Sequence, residues 1–290
     1  MLDSDSLLAM HGTLVSAQTL RDNLDTPSWV IVDCRYSLTD PAFGRLAYRE
    51  GHIPGAYYAS LDEDLAGTRN QESGRHPLPG ADAFAAFLRG MGVNDGTQIV
   101  AYDAGGDMVA ARLWFLAKWL GHDAVAVLDG GFAAWQRARY PQSRETPAPR
   151  HGTISARPRA EMTLDARDVL ESLQSPQMLV LDARGPDRFA GLNENLDPIG
   201  GHIPGAVNRW FKENYTEDGR FKTPQQLREE FAALGSHPSN IVHQCGSGVS
   251  ACVNLLAMAY AGLPDSRLYA GSWSEWCADP SRPMVRRTDS

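Results

Sequence analysis

The chain of 290 residues repeats itself once, and that duplication restricts its fold more than any other feature. Gly51-His-Ile-Pro-Gly-Ala56 returns as Gly201-His-Ile-Pro-Gly-Ala206. Val30-Ile-Val-Asp33-Cys-Arg35 returns as Leu179-Val-Leu-Asp182-Ala-Arg184. Ile99-Val-Ala-Tyr-Asp103 aligns with Ile241-Val-His-Gln-Cys245, and Leu128-Asp-Gly-Gly-Phe-Ala-Ala-Trp135 with Tyr269-Ala-Gly-Ser-Trp-Ser-Glu-Trp276. The offset is 149 to 150 residues early in the repeat (182−33, 201−51) and 142 to 141 later (245−103, 269−128). Four landmarks in one order at nearly one spacing mean a duplicated domain, because the unit is too long for a solenoid repeat.

Within each unit, short apolar runs alternate with amphipathic stretches. Residues 30–32, 99–102 and 124–128 read as buried strands, and 81–91 and 108–119 as helices. In the second unit 179–181, 241–243 and 267–269 read as strands, with helices near 164–174, 224–234 and 250–261. Alternation at these lengths predicts an α/β fold of two tandem domains, each a mostly parallel sheet flanked by helices. Residues 141–159 are rich in Pro, Arg, Ser and Thr and lack periodicity. The expected organisation is an N-terminal domain over 1–142, a linker over 143–160 and a C-terminal domain over 161–290. With 43% hydrophobic residues, each half has enough apolar side chains for a core of its own.

A formal charge of −8 argues against nucleic acid as a partner, since phosphate binding needs a basic face. There is no apolar run of membrane-spanning length, and the first residues lack the pattern of a secretion signal, so the expected compartment is the cytoplasm, with no membrane partner. The four cysteines (34, 245, 252 and 277) have no Cys-x-x-Cys spacing. Neither a disulfide framework nor a zinc site is expected, and His243, Cys245 and Cys252 lack a fourth ligand at metal-site spacing.

Chemistry concentrates in Cys245-Gly-Ser-Gly-Val-Ser250, where an apolar run meets a cysteine, two glycines and the start of a helical pattern. A cysteine reacts as its thiolate. Gly246 and Gly248 permit a tight loop whose N–H groups converge on one point at a helix start, which stabilises negative charge. By itself the loop reads equally well as a buried structural cysteine before a glycine turn. Cys252 and Cys34 read as packing residues, and Cys277 has no assigned role.

These motifs together resemble the rhodanese superfamily, specifically its two-domain sulfurtransferases, over residues 13 to 285. The carriers are the two Asp-x-Arg pairs (Asp33/Arg35 and Asp182/Arg184), the doubled Gly-His-Ile-Pro-Gly-Ala, the Cys245 loop and Gly271-Ser-Trp-Ser-Glu-Trp276. The resemblance implies a catalytic C-terminal domain and a degenerate N-terminal one, with Asp103 standing where Cys245 stands in the other half. It implies a Cys245 persulfide, a small anionic sulfur donor, an acceptor such as cyanide, a thiol or a thioredoxin-like protein, and no metal or organic cofactor.

The thiosulfate-using branch carries basic side chains after its cysteine. The neutral Gly246, Ser247, Gly248, Val249 and Ser250 are similar instead to the 3-mercaptopyruvate branch, although Ser250 stands where that branch usually has threonine. That branch implies a relay of Ser247, His76 and Asp62, in which a histidine oriented by a carboxylate moves a proton through the hydroxyl. Without the resemblance, His76 reads as an exposed loop histidine and Asp62 as part of an acidic turn with Glu63 and Asp64. The family also implies Arg188 for the substrate carboxylate, where the residues alone allow a surface arginine. Its second arginine, about nine residues on, is missing, because 191–200 contains no Arg or Lys. Arg209 is the basic residue available as a substitute.

The Asp-x-Arg pairs read as ties between strand ends and loops. His52 and His202 read as hydrogen-bonded turn residues, and Trp273 and Trp276 as packing beside the loop that shapes the pocket rim. A cysteine phosphatase on this fold would need an arginine six residues after the nucleophile, where Ala251 stands. The alternatives are thiosulfate as donor by the same double displacement, or a non-catalytic binding module.

Overall fold

The computed structural model describes residues 10–70, 72–175 and 177–286. In the first half the order is β1 (Leu14–Val15), α1 (Ala17–Asp22), β2 (Trp29–Asp33), α2 (Phe43–Glu50), β3 (Tyr57–Tyr58), α3 (Ala81–Gly90), β4 (Gln98–Tyr102), α4 (Val109–Trp119), β5 (Val125–Leu128) and α5 (Gly131–Arg137). The second half repeats it with β6 (Thr163–Leu164), α6 (Ala166–Ser172), β7 (Leu179–Asp182), α7 (Pro186–Phe189), β8 (Val207–Asn208), α8 (Pro224–Ala232), β9 (Ile241–Gln244), α9 (Ala251–Tyr260), β10 (Arg267–Tyr269) and α10 (Ser272–Trp276). The sheets run β1-β5-β4-β2-β3 and β6-β10-β9-β7-β8, with every pairing parallel. The strand order is the same permutation twice, so the duplication read in the sequence is a duplication of topology.

The central strands are apolar on both faces because helices cover both faces. Alternate residues divide between two cores. Ile31, Val100, Ala126 and Leu128 pack into a core of the first half, and Val180, Val242 and Tyr269 into one of the second. The opposite faces do not close separately. Val30, Val32, Ile99 and Ala101 belong to one cluster with Leu181, Ile241 and Leu268, joined through α4 and α9. The expectation of a self-contained core in each half therefore fails on one face of each sheet. The reason lies in α4 and α9: residues 109–117 and 251–258 are buried all round, as required of a helix between its own sheet and the opposing domain.

The Asp-x-Arg pairs hold strand ends to the turn that follows. Arg35 Nη2 donates to Asp33 Oδ2 at 2.6 Å and to the Gly51 carbonyl at 2.7 Å; Arg184 Nη2 donates to Asp182 Oδ2 and to the Gly201 carbonyl, each at 2.7 Å. His52 stacks on Tyr48 and hydrogen-bonds its carbonyl at 2.7 Å, while His202 stacks on Phe189 and hydrogen-bonds that carbonyl at 2.9 Å. Both histidines are turn residues. The segment 141–159 runs back along the first half, pairing Ser143 with His52, as Val285 pairs with His202 in the second.

One charged side chain lies inside the shared core. Arg112, on α4, is fully buried. Its guanidinium donates to the carbonyls of Leu65 (3.3 Å), His76 (3.1 Å) and Pro77 (3.2 Å) in its own domain and of Gly248 (3.0 Å) in the other. No carboxylate pairs with it among the described residues. Arg112→Ala should destabilise the protein by about 3 kcal/mol or more, since each buried acceptor left unpaired costs about 1–3 kcal/mol. Arg112→Lys should recover little, because an ammonium cannot reproduce the planar fork. Urea unfolding measures both, and a lysine variant as stable as the parent would refute this account.

Candidate active site

Cys245 follows the last residue of β9, at the carboxyl end of the sheet. β7 and β9 are neighbours from which the chain departs in opposite directions, the place where open α/β sheets form crevices. The loop turns through Gly248 at φ +76°, where a Cβ would collide with the Ala270 carbonyl. The Gly248 N–H donates to Cys245 Sγ at 3.1 Å. From α10 the Trp273 N–H donates to the Cys245 carbonyl and the Ser274 N–H to the Gly246 carbonyl, both at 3.0 Å. Cys245 is 2% exposed.

Ser272 holds the loop from beneath. It adopts φ +55°, a left-handed conformation that costs a non-glycine residue about 1–2 kcal/mol. Its equivalent in the first half is Gly131, at φ +54°. The serine hydroxyl accepts from the Cys245 N–H at 3.1 Å and donates to the Tyr269 carbonyl at 3.0 Å. Glycine would be the easier residue here, and what serine adds is a hydrogen bond to the cysteine's own backbone.

The structure brings Ser247, His76 and Asp62 together across the domain boundary. His76 Nδ1 lies 2.8 Å from Ser247 Oγ, and His76 Nε2 lies 3.2 Å from Asp62 Oδ1. A carboxylate only accepts, so Nε2 carries the proton and Nδ1 accepts from the serine hydroxyl. Burial pushes the His76 imidazole down to about 4; Asp62 pulls it upward, and Arg112 and Arg75 add to the depression. The 3.2 Å contact with half-exposed Asp62 is therefore a hydrogen bond from a neutral imidazole to a carboxylate at pH 7, although its distance alone satisfies an ion pair.

Arg188 reaches the loop, and so does Arg75, a residue the sequence reading passed over. A Cβ built on Gly246 would lie 2.9 Å from Arg75 Nη2 and 3.4 Å from both Arg188 Nη atoms. Arg188 is held by Glu194 at 2.8 Å and Asp197 at 3.2 Å, and Arg75 is paired with Asp197. Arg209 is not part of this group. It turns into the second domain, donates to Glu230 at 2.8 Å and lies over the Phe231 ring. Trp273 and Trp276 are fully buried in the core below the loop, so they do not form a rim. Val249 and Ser250 lie buried at the start of α9.

Cys252 Sγ donates to the Gly248 carbonyl at 3.3 Å, and burial pushes its thiol up to about 12. Asp103 fills the corresponding loop of the first half. Its carboxylate accepts from the Gly105 and Ala110 N–H groups, and burial raises it to about 7.

Two signals for the overlooked residues were present. Arg75 adjoins His76, and Arg112 is the lone charge within the apolar run 109–117. In NMR, the His76 ring should titrate near 4. A midpoint at or above 6 would contradict the buried neutral ring. Because the folded value lies below the ordinary 6.5, the unfolded chain takes up the proton first. Stability relative to His76→Gln should therefore fall as pH drops from 6.5 toward 4 and be pH-independent above that window.

The chain matches the Rhodanese-like domain family twice, over residues 16–138 and 165–279. It is 45% identical over 276 residues to a probable 3-mercaptopyruvate sulfurtransferase of Pseudomonas aeruginosa, covering 94% of this chain and 97% of that protein. It is 36% identical to a putative thiosulfate sulfurtransferase of Mycobacterium tuberculosis, covering 89% and 91%. Its fold superimposes on SseA from Escherichia coli, described among the 3-mercaptopyruvate sulfotransferases, with a TM-score of 0.80 and 31% identity over 91% of this chain and all of that one. The protein belongs to the rhodanese family and is a two-domain sulfurtransferase.

Proposed function

We propose that the protein transfers sulfur from 3-mercaptopyruvate to a thiophilic acceptor through a persulfide on Cys245. The observation that carries this reading is the 2.8 Å contact between Ser247 and a neutral His76 beside the cysteine. Splitting a carbon–sulfur bond leaves an enolate that needs a proton, whereas splitting thiosulfate releases sulfite, which needs none. A serine–histidine relay therefore has work to do with the first donor and none with the second.

In the reaction the Cys245 thiolate attacks the donor thiol sulfur. The carbon–sulfur bond breaks and its electron pair stays on carbon as the pyruvate enolate. His76, through Ser247, takes the thiol proton and returns it to that carbon, while Asp62 keeps the ring in the required tautomer. The Gly248 N–H faces the sulfur on which negative charge resides. Gly246 leaves space for the donor's carboxylate beside Arg188, and Val249 and Ser250 keep the remainder of the loop neutral. Cyanide, a small thiol or a thioredoxin-like protein then attacks the outer sulfur and releases Cys245 as thiolate, giving ping-pong kinetics.

The unit 1–142 is degenerate in this reading and supplies His76 and Asp62 to the catalytic unit 161–290, with 143–160 as the connection. Four free cysteines suit a reducing compartment such as the cytoplasm. No helix among the described residues is long and apolar enough to cross a membrane.

Mass spectrometry after donor alone should find one added sulfur on Cys245, and none in Cys245→Ser. Ser247→Ala should lower kcat/KM for 3-mercaptopyruvate by about 10²–10⁴-fold, the usual worth of a positioned acid–base group, and leave thiosulfate turnover nearly unchanged. A preference of tenfold or more for thiosulfate in wild type, about 1.4 kcal/mol, would defeat the donor assignment.

A further inference from the structure

We propose that a cleft between the two domains, at the end of the sheet away from Cys245, is a binding site for a small aromatic monocarboxylate. Its occupation is felt at the nucleophile loop through α4 and α9. The cleft is a cavity of about 730 Å³, a size that takes a small organic ligand. Its walls come from α4 of the first domain, from residues 159–162, from α9 and from the loop before β10. Ser239 and Arg267, which line it, stand where β9 and β10 begin, whereas Cys245 follows the far end of β9. Neither the nucleophile nor Ser247, His76, Asp62 or Arg188 borders it.

Trp114 and Phe115 of α4 and Leu255 and Ala259 of α9 make its walls apolar. The polar groups left free are donors. Arg267 Nη2 donates to the Ser239 carbonyl at 3.2 Å, while Nε and Nη1 have no protein acceptor among the described residues. Ser266 is only 9% exposed, yet its hydroxyl has no protein partner among the described residues, which leaves it to the cavity it lines. Lys118 Nζ donates to the Asp123 carbonyl and carboxylate at 3.0 and 3.2 Å and has a third proton to give. The Asp123 carboxylate is taken by Lys118 and by the fork of Arg159, at 2.9 and 2.7 Å. With the exposed Glu161 and Asp265, three carboxylates stand against three cations around the cavity, so its formal charge is zero. Free donors without surplus charge suit one carboxylate better than a dianion. A flat, rigid ring fills a cleft between two helices and loses little freedom on binding.

The same two helices lead to the active site. Trp114 lies two residues after Arg112 on α4, and Leu255 three after Cys252 on α9. Arg112 and Cys252 both donate to the Gly248 carbonyl, at 3.0 and 3.3 Å. A ligand that leans on both helices therefore acts on the spacing that holds the Cys245 loop against His76. It alters turnover to the extent that it binds two spacings with unequal affinity.

The test is titration calorimetry with 1-naphthoate, and with 1-naphthalenemethanol as the same ring system without a charge. 1-Naphthoate should bind the wild type at one site with a Kd of about 1 mM or tighter. The alcohol should bind about tenfold more weakly, for want of the charge-assisted hydrogen bonds. Ala259→Trp fills the cleft and should weaken 1-naphthoate by about tenfold or more while keeping the basal turnover. Arg267→Gln should weaken 1-naphthoate about tenfold and leave the alcohol unchanged, a contrast that misfolding cannot produce. Saturating 1-naphthoate should change kcat by about twofold or more in the wild type, with the donor KM unaltered, and should not do so in Ala259→Trp. Either 3-mercaptopyruvate or thiosulfate serves as donor, so failure of the donor assignment leaves this test standing. Simple competition with the donor, or wild-type affinity in Ala259→Trp, would overturn the site. Binding at the cleft with a smaller change in kcat would overturn the coupling.

Discussion

The buried guanidinium of Arg112 is the interaction on which the arrangement of this molecule depends. Cys245 and His76 come from different domains, so their separation is only as well defined as the domain interface. An apolar interface alone would allow sliding, because dispersion and burial have little direction. Arg112 adds direction. Its fork grips the carbonyls of His76 and Pro77 on one side and of Gly248 on the other, and the N–H of that same Gly248 faces the cysteine sulfur. One rigid planar group therefore sets the position of both loops, and the 2.8 Å contact between His76 and Ser247 follows from that.

The two halves are one scaffold used twice. Both have the same strand order, the same Asp-x-Arg tie and the same stacked histidine in the turn. They differ where the β4 and β9 strands end. Asp103 turns its carboxylate onto its own loop N–H groups and closes that site from within. In the second half the loop keeps an N–H for a sulfur, and the relaxed glycine beneath it has become the strained Ser272. Strain at a position where the sister domain has none is the signature of a residue retained for its hydrogen bond.

The fold was largely legible because the motifs come in pairs, and each strand ending in an Asp-x-Arg or a loop motif could be checked against its twin. The five central helices α3, α4, α6, α8 and α9 fell within a few residues of their expected ranges. The edge strands β1, β3, β6 and β8 span two residues each, too few for any periodicity, and were not legible. The helices α1, α2, α5, α7 and α10 are short and also escaped. At the site, Cys245 was singled out by its own loop, whereas Ser247 and His76 were named from motif resemblance, and spacing alone would not have joined residues 171 positions apart. Arg209 was chosen for its charge and its place after a motif; its chain direction sends it toward Glu230 instead. Arg75 was overlooked because it lies in the other domain and meets Arg188 only through the fold, where both pair with Asp197.

The charges around the cysteine also balance in a way that bears on the covalent intermediate. Arg75 and Arg188 are offset by Asp197 and Glu194, and Arg184 is offset by Asp182. His76 is kept neutral by burial. Among the described residues this leaves Arg112 as the unmatched cation near the loop, surrounded by carbonyl dipoles rather than carboxylates. A carboxylate partner for Arg112 would cancel its field at the sulfur, while carbonyls anchor the group and leave its charge in place. In the proposed reaction, one uncompensated positive charge beside Cys245 would match the one negative charge of its sulfur, first as thiolate and then as persulfide, with no rearrangement between the two half-reactions.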